Sequence, residues 1–192
     1  FYVDHHFAGD IPQHIRLTAI INEAPEVCTA VLVNGHLKGR HLDWAVTGAF
    51  GDNLKSTAHA LARELDISPG DLASLEALGT YINYNGYGPA LPDLHFDPKE
   101  LYLRLYAAAD PLDFVHHSPD FKKLSVGYQD DMALAEGLQP LHSKPGSVVF
   151  LLPDQAWARR VSGVYSNDLA TNNPTRAHAV LTEKANGHYL IS

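Results

Sequence analysis

Phe1-Tyr2-Val3-Asp4-His5-His6 opens with aromatic and β-branched residues and runs directly into one acid and two imidazoles. The first three read as a strand, so the acid and imidazoles fall at its carboxyl end, where open α/β sheets place ligand-binding crevices. Neighbouring side chains at a strand end diverge. One histidine can therefore take a metal ion while the next faces a substrate, and the acid can hold an imidazole by accepting its other N–H. A surface loop with two solvated histidines is the plainer reading, and three residues alone leave it open.

Outward from that end, Leu17–Ile21 is a second strand candidate, and Pro25-Glu26 opens a helix that stops near Gly35. Leu42–Phe50 is apolar, and periodicity leaves strand and buried helix equally open. It ends in Gly48-Ala49-Phe50-Gly51-Asp52, an acid flanked by glycines that would permit close backbone approach, which suits a metal ligand. Read otherwise, Asp52 is the N-cap of a helix starting at Asn53. Amphipathic helices follow over Leu54–Leu65 and after Ser68-Pro69-Gly70-Asp71. Tyr81–Leu94, rich in Asn, Gly, Pro and Tyr, reads as a loop, and Asp97-Pro98 starts another helix. Breaks at Asp110-Pro111 and Ser118-Pro119 precede a polar helix, Asp120–Leu138. Then come a strand at Val148–Leu152, a helix from Gln155 to about Ala170, and a hairpin around Asn186-Gly187. The class is α/β. The expected segments are a first domain over residues 1–118, a connector helix over 119–139 and a small α/β domain over 140–192.

The composition narrows the function classes. With 14 basic and 22 acidic residues the net charge is −8, which disfavours tight binding to long nucleic acid through its phosphates. Twelve histidines are an excess that suits metal ligation or proton transfer. Cys28 is the single cysteine, so an intramolecular disulfide and a thiolate cluster are both excluded. No apolar run approaches a membrane span and no signal peptide precedes the first strand, so the expected location is cytoplasmic. The opening strand has nothing before it and the chain stops inside a hairpin. Both ends read as cut, as in the middle portion of a two-domain protein of about 300 residues.

Tyr2-Val3-Asp4-His5-His6 and Thr47-Gly48-Ala49-Phe50-Gly51-Asp52, at this separation, resemble two motifs of the DHH phosphoesterase superfamily. The last 50 or so residues, with Ser162-Gly163, Asn167 and Gly187-His188, look like the DHH-associated C-terminal domain. The resemblance implies the remainder of a parallel-sheet domain joined to that smaller one. It implies that His5 and Asp52 ligate one of two divalent metals, typically Mn2+, with Mg2+ or Co2+ as alternatives. It assigns His6 to the scissile phosphate and Asp4 to support of the site. The implied activity is hydrolysis of a small phosphodiester such as a short oligonucleotide or a dinucleotide, and a homodimer is compatible with it. The alternative is a non-catalytic nucleic-acid or nucleotide-binding module of the same fold. The family's first two metal motifs and its glycine-rich C-terminal motif do not occur, and Asn53 stands where many members carry threonine. The chain alone is accordingly expected to bind metal weakly and to be inactive.

Asn83 and Asn85 in the tyrosine-rich segment, and Arg176 and His188 in the C-terminal one, are the candidate substrate-binding residues. Tyr81–Gly88 could stack a base or hold a phosphate on backbone amides, or could simply be a packed loop. For Arg159-Arg160 the default is a solvated helix face, and His116-His117 lacks a preceding strand. One distance discriminates most sharply: His5 and Asp52 share a metal within about 5 Å and cannot beyond about 8 Å.

Overall fold

Tyr2–Asp4 (β1) and Ala19–Ile21 (β2) form a two-stranded parallel pair in the computed structural model, which describes residues 1–192. Eight helices follow in the order α1 (Thr29–His36), α2 (Leu42–Gly51), α3 (Lys55–Ala62), α4 (Pro69–Tyr84), α5 (Pro98–Ala107), α6 (Pro111–His117), α7 (Pro119–Glu136) and α8 (Ala156–Asn172). A second sheet has the order β3-β4-β5-β6, made of His142–Lys144, Ser147–Leu152, Ala177–Glu183 and Tyr189–Ile191. Its centre is parallel, β4 beside β5, with α8 as the crossover, and both outer pairs are antiparallel. The fold is mixed α/β. No helix is long and apolar enough to cross a membrane.

Two units can be described separately: Phe1–Thr80 with Ala108–His117, and Tyr81–Ala107 with Ser118–Ser192. They do not follow the expected segments. Tyr84 and Asn85 are buried in the C-terminal unit, and Pro119–Glu136, the expected connector helix, carries buried Leu124, Met132 and Ala135 there.

In the N-terminal unit Val46, Ala49 and Phe50 of α2 pack with Cys28, Ala58, Ala62 and Leu75. The apolar run Leu42–Phe50 is thus a buried helix, and it also carries Trp44. Its glycines serve helix packing. A Cβ on Gly48 would stand 2.5 Å from Cβ of Ala30 in α1, and one on Gly51 would stand 2.8 Å from the Gly79 carbonyl oxygen in α4. These glycines therefore give the close approach expected of them, and what approaches is the neighbouring helices α1 and α4.

Several local expectations change. Helix α1 starts at Thr29, beyond Pro25, and α4 continues through Tyr84, because Tyr81 and Tyr84 pack on Tyr128 of α7. Pro111–His117 is helical instead of a break. The C-terminal core joins Leu152, Val161, Val164 and Val180, with Trp157 of α8 packed against it.

Candidate metal centre

Asp52 closes α2. Its N–H donates to the Gly48 carbonyl, Asn53 N–H to Phe50, and Leu54 N–H to Ala49, while Asn53 takes φ 59°. This is a Schellman end with asparagine in the left-handed position, so Asp52 is a C-cap and the expected N-cap role does not hold. A carboxylate at the negative end of a helix is electrostatically disfavoured unless a positive group stands near it. The group beside it is His5, whose Nε2 lies 3.1 Å from Asp52 Oδ2, and a metal ion bound between the two would supply that positive charge.

His5 follows β1 directly, and its other ring nitrogen is occupied. Thr29 N–H, in the first turn of α1, donates to Nδ1 at 3.2 Å, and Thr29 Oγ1 lies 3.0 Å from the same atom. Cys28, the N-cap of α1, offers no side-chain bond, so His5 caps that helix from outside. With Nδ1 accepting, Nε2 carries the proton and donates to Asp52. A metal at Nε2 requires the other tautomer, with Nδ1–H donating to Thr29 Oγ1. Thr29 supplies a partner for either state, and sequence inspection missed it because neither spacing nor composition marks it.

Asp4 ends β1 and gathers donors. Its Oδ1 accepts from His5 N–H at 2.7 Å, His6 N–H at 3.2 Å and His6 Nδ1 at 2.9 Å, and Tyr2 O–H donates to Oδ2 at 3.0 Å. The His6 side chain, helped by these N–H groups, holds the Asp4 carboxyl well below the usual carboxylate range. Because His6 spends Nδ1–H on Asp4, its Nε2 presents a lone pair, and the ring is largely exposed. One ligand atom from each of Asp4, His5 and His6 lies within 4.8 Å of the others.

These residues fit a metal ion. Two ligands bonded at about 2.1 Å and subtending 90–109° stand about 3.0–3.4 Å apart, and the His5–Asp52 separation falls in that interval. No family model, curated protein or solved structure matches the chain.

The candidate substrate residues lie elsewhere. Asn85 is buried, donating its amide to the Phe96 carbonyl and accepting from Phe96 N–H, so its side chain is spent on holding that turn. Arg176 directs Nη2 at Ser143 Oγ and the carbonyls of Lys144 and Ser147, pinning the β3–β4 turn, which leaves that nitrogen no N–H for a substrate. Both side chains are thus engaged within the C-terminal unit. Asn83 is half-buried in the last turn of α4, and His188 is exposed beside the β5–β6 turn. Neither belongs to the N-terminal unit that holds His5 and Asp52.

Arg159 and Arg160 overturn the solvated-face reading. Arg159 grips Asp93 at 2.6 and 3.0 Å and also bonds Asp154. Arg160 grips Asp131 at 2.7 and 3.1 Å. Tyr84 O–H donates to Asp131 and receives Arg160 Nε–H at 3.1 Å, with His95 Nε2 at 2.7 Å. His116 lies 3.7 Å from Asp71, and His117 bonds Asp113 at 2.9 Å.

Proposed function

We propose that the chain is part of a divalent-metal-dependent phosphoesterase of the DHH superfamily, acting on a small phosphodiester such as a short oligonucleotide or a dinucleotide. The observation that supports it is the 3.1 Å approach of His5 Nε2 to Asp52 Oδ2, between two segments far apart in sequence. On this reading β1, β2 and the helices around them are the remainder of the parallel-sheet domain, and the C-terminal unit is the associated smaller domain. The setting is cytoplasmic.

Bound there, two ions of the manganese class would acidify a water and neutralise phosphate oxygens. His5 and Asp52 would hold one ion, with Thr29 Oγ1 placed to accept Nδ1–H once the His5 ring takes the ligating tautomer. Asp4 fixes His6 so that the lone pair of Nε2 faces outward, where it can take up a proton and, once protonated, donate to a phosphate oxygen. The reading requires further ligands beyond His5 and Asp52. Metal also removes the objection raised by the net charge, since an anionic substrate is then held by cations.

The test has two arms. In Mn2+ titrations followed by electron paramagnetic resonance, the chain should bind saturably, and His5→Ala or Asp52→Ala should lose that binding while keeping the helical circular dichroism. Equal binding by all three proteins would sink the metal assignment. In the second arm a dinucleotide with a hydrolysis-resistant phosphorothioate link should bind more tightly with Mn2+ present, and His6→Ala should remove that gain. Metal-independent binding would favour the non-catalytic module.

A further inference from the structure

Asn186-Gly187, the hairpin pair, is one of three Asn-Gly pairs in the chain, with Asn34-Gly35 and Asn85-Gly86. Such a pair can react with itself. The glycine backbone nitrogen attacks Cγ of the asparagine, and no Cβ shields that nitrogen. The fold decides which of the three is free to do so.

Asn34 is not. It lies buried in α1, and its Oδ1 accepts His41 N–H at 3.1 Å. Gly35 N–H is engaged by the helix, whose amides donate to the carbonyl four residues before. Asn85 is held more firmly still. Its side chain is 1% exposed, and both ends of its amide bond the Phe96 backbone at 3.0 Å. Gly86 N–H donates to the Asn83 carbonyl at 2.8 Å.

Asn186 stands in a different setting. Lys184–His188 is exposed throughout, Gly187 takes φ 76°, and no atom lies within 4 Å of the place its Cβ would occupy. The approach to its nitrogen is therefore open. His188 N–H donates to Asn186 Oδ1 at 3.2 Å, which folds the side chain over the backbone that follows it. The same bond stabilises the negative charge that develops on this oxygen during attack. Gly187 N–H donates to the Lys184 carbonyl at 2.9 Å, a bond that an exposed turn breaks readily by local opening.

We infer that Asn186 is a site of spontaneous deamidation, and that Asn34 and Asn85 are protected from it in the folded chain. The Gly187 nitrogen gives its proton to solvent and bonds Asn186 Cγ. The Cγ–Nδ2 bond breaks, and Nδ2 takes up a proton and departs as ammonia. Water then opens the cyclic imide at either carbonyl, leaving aspartate or isoaspartate. Both products add a negative charge to the turn. Isoaspartate also lengthens the backbone between Lys184 and His188, whose N–H to carbonyl bond at 2.9 Å closes the hairpin. Nothing in this rests on the metal centre, which belongs to the other unit.

The test ages the full chain at mildly alkaline pH, follows its proteolytic peptides by mass spectrometry, and counts isoaspartate by enzymatic carboxyl methylation. The Asn186 peptide should gain the mass difference between an amide and an acid, while the Asn34 and Asn85 peptides stay unchanged. In urea all three should convert. Asn186→Gln, whose longer side chain closes a larger ring far more slowly, should stop the conversion with folding intact. In the isoaspartate form, amide exchange at Lys184 should quicken by about tenfold, the loss of one hydrogen bond. The inference is overturned if Asn186 stays unchanged in the folded chain, if Asn34 or Asn85 converts there as fast, or if Asn186→Gln leaves the conversion in place.

Discussion

Thr29 and Asn53 are the residues on which the geometry at His5 and Asp52 turns. Thr29 offers His5 Nδ1 both a backbone donor and a hydroxyl, so it can serve the ring in either tautomer. Thr29→Val keeps the shape and the N–H but removes the acceptor that the ligating tautomer needs. Mn2+ affinity measured by calorimetry should fall by about tenfold, the usual consequence of removing a group that orients a ligand, with little change in melting temperature. Asn53 holds φ 59° at the end of α2. A β-branched residue is strained there, so Asn53→Thr should lower the unfolding free energy in urea by about 1–2 kcal/mol, and Asn53→Gly should not. His95 gives a pH dependence. Burial, reinforced by the nearby charge of Arg160, pushes its imidazole below the ordinary value, although Asp131 acts in the opposite sense. The folded state therefore takes up that proton less readily than the unfolded chain. Stability from this residue is complete above about pH 6.5 and declines as the pH falls from there through the lower folded-state value. Urea unfolding from pH 8 to 5 should show this slope, and His95→Gln should flatten it.

Helix contacts are the next scale, and they set how closely His5 meets Asp52. Gly48 lets α1, which carries Thr29, lie against α2, which ends at Asp52. Gly48→Ala should cost about 1–3 kcal/mol by overpacking, and it should weaken Mn2+ binding as well, because separating α1 from α2 moves the His5 support away from its partner ligand. Gly127→Ala in α7 is the comparison that leaves the metal centre alone: a Cβ there would stand 2.5 Å from His95 Nε2, so stability should fall while Mn2+ affinity holds. What could be read from sequence follows the same division. The strand before Asp4, the strand at Val148–Leu152 and the helix after Gln155 were legible because local apolar pattern decides them. The inward-facing Arg159, Arg160 and Asp131 were not. A buried charge looks like a solvated one until its partner from a distant segment is placed beside it. Asn85 failed for the same reason, since its partner is the Phe96 backbone and carries no sequence signal.

At the scale of the whole molecule, two units have separate cores, and the candidate metal centre and Asn186 lie in different ones. The chromophores are divided in the same way. Trp44 lies in the N-terminal unit, on the helix that ends at Asp52, and Trp157 lies in the C-terminal unit against its core. Of the nine tyrosines only Tyr2 belongs to the N-terminal unit. Near-ultraviolet dichroism is therefore mainly a signal of the C-terminal unit, while emission from a Trp157→Phe variant reports the N-terminal unit alone. Mn2+ should change the emission of that variant and leave a Trp44→Phe variant dark to it. The chain thus comes with two optical channels, one for each unit, and each can register its own unit's melting without the other.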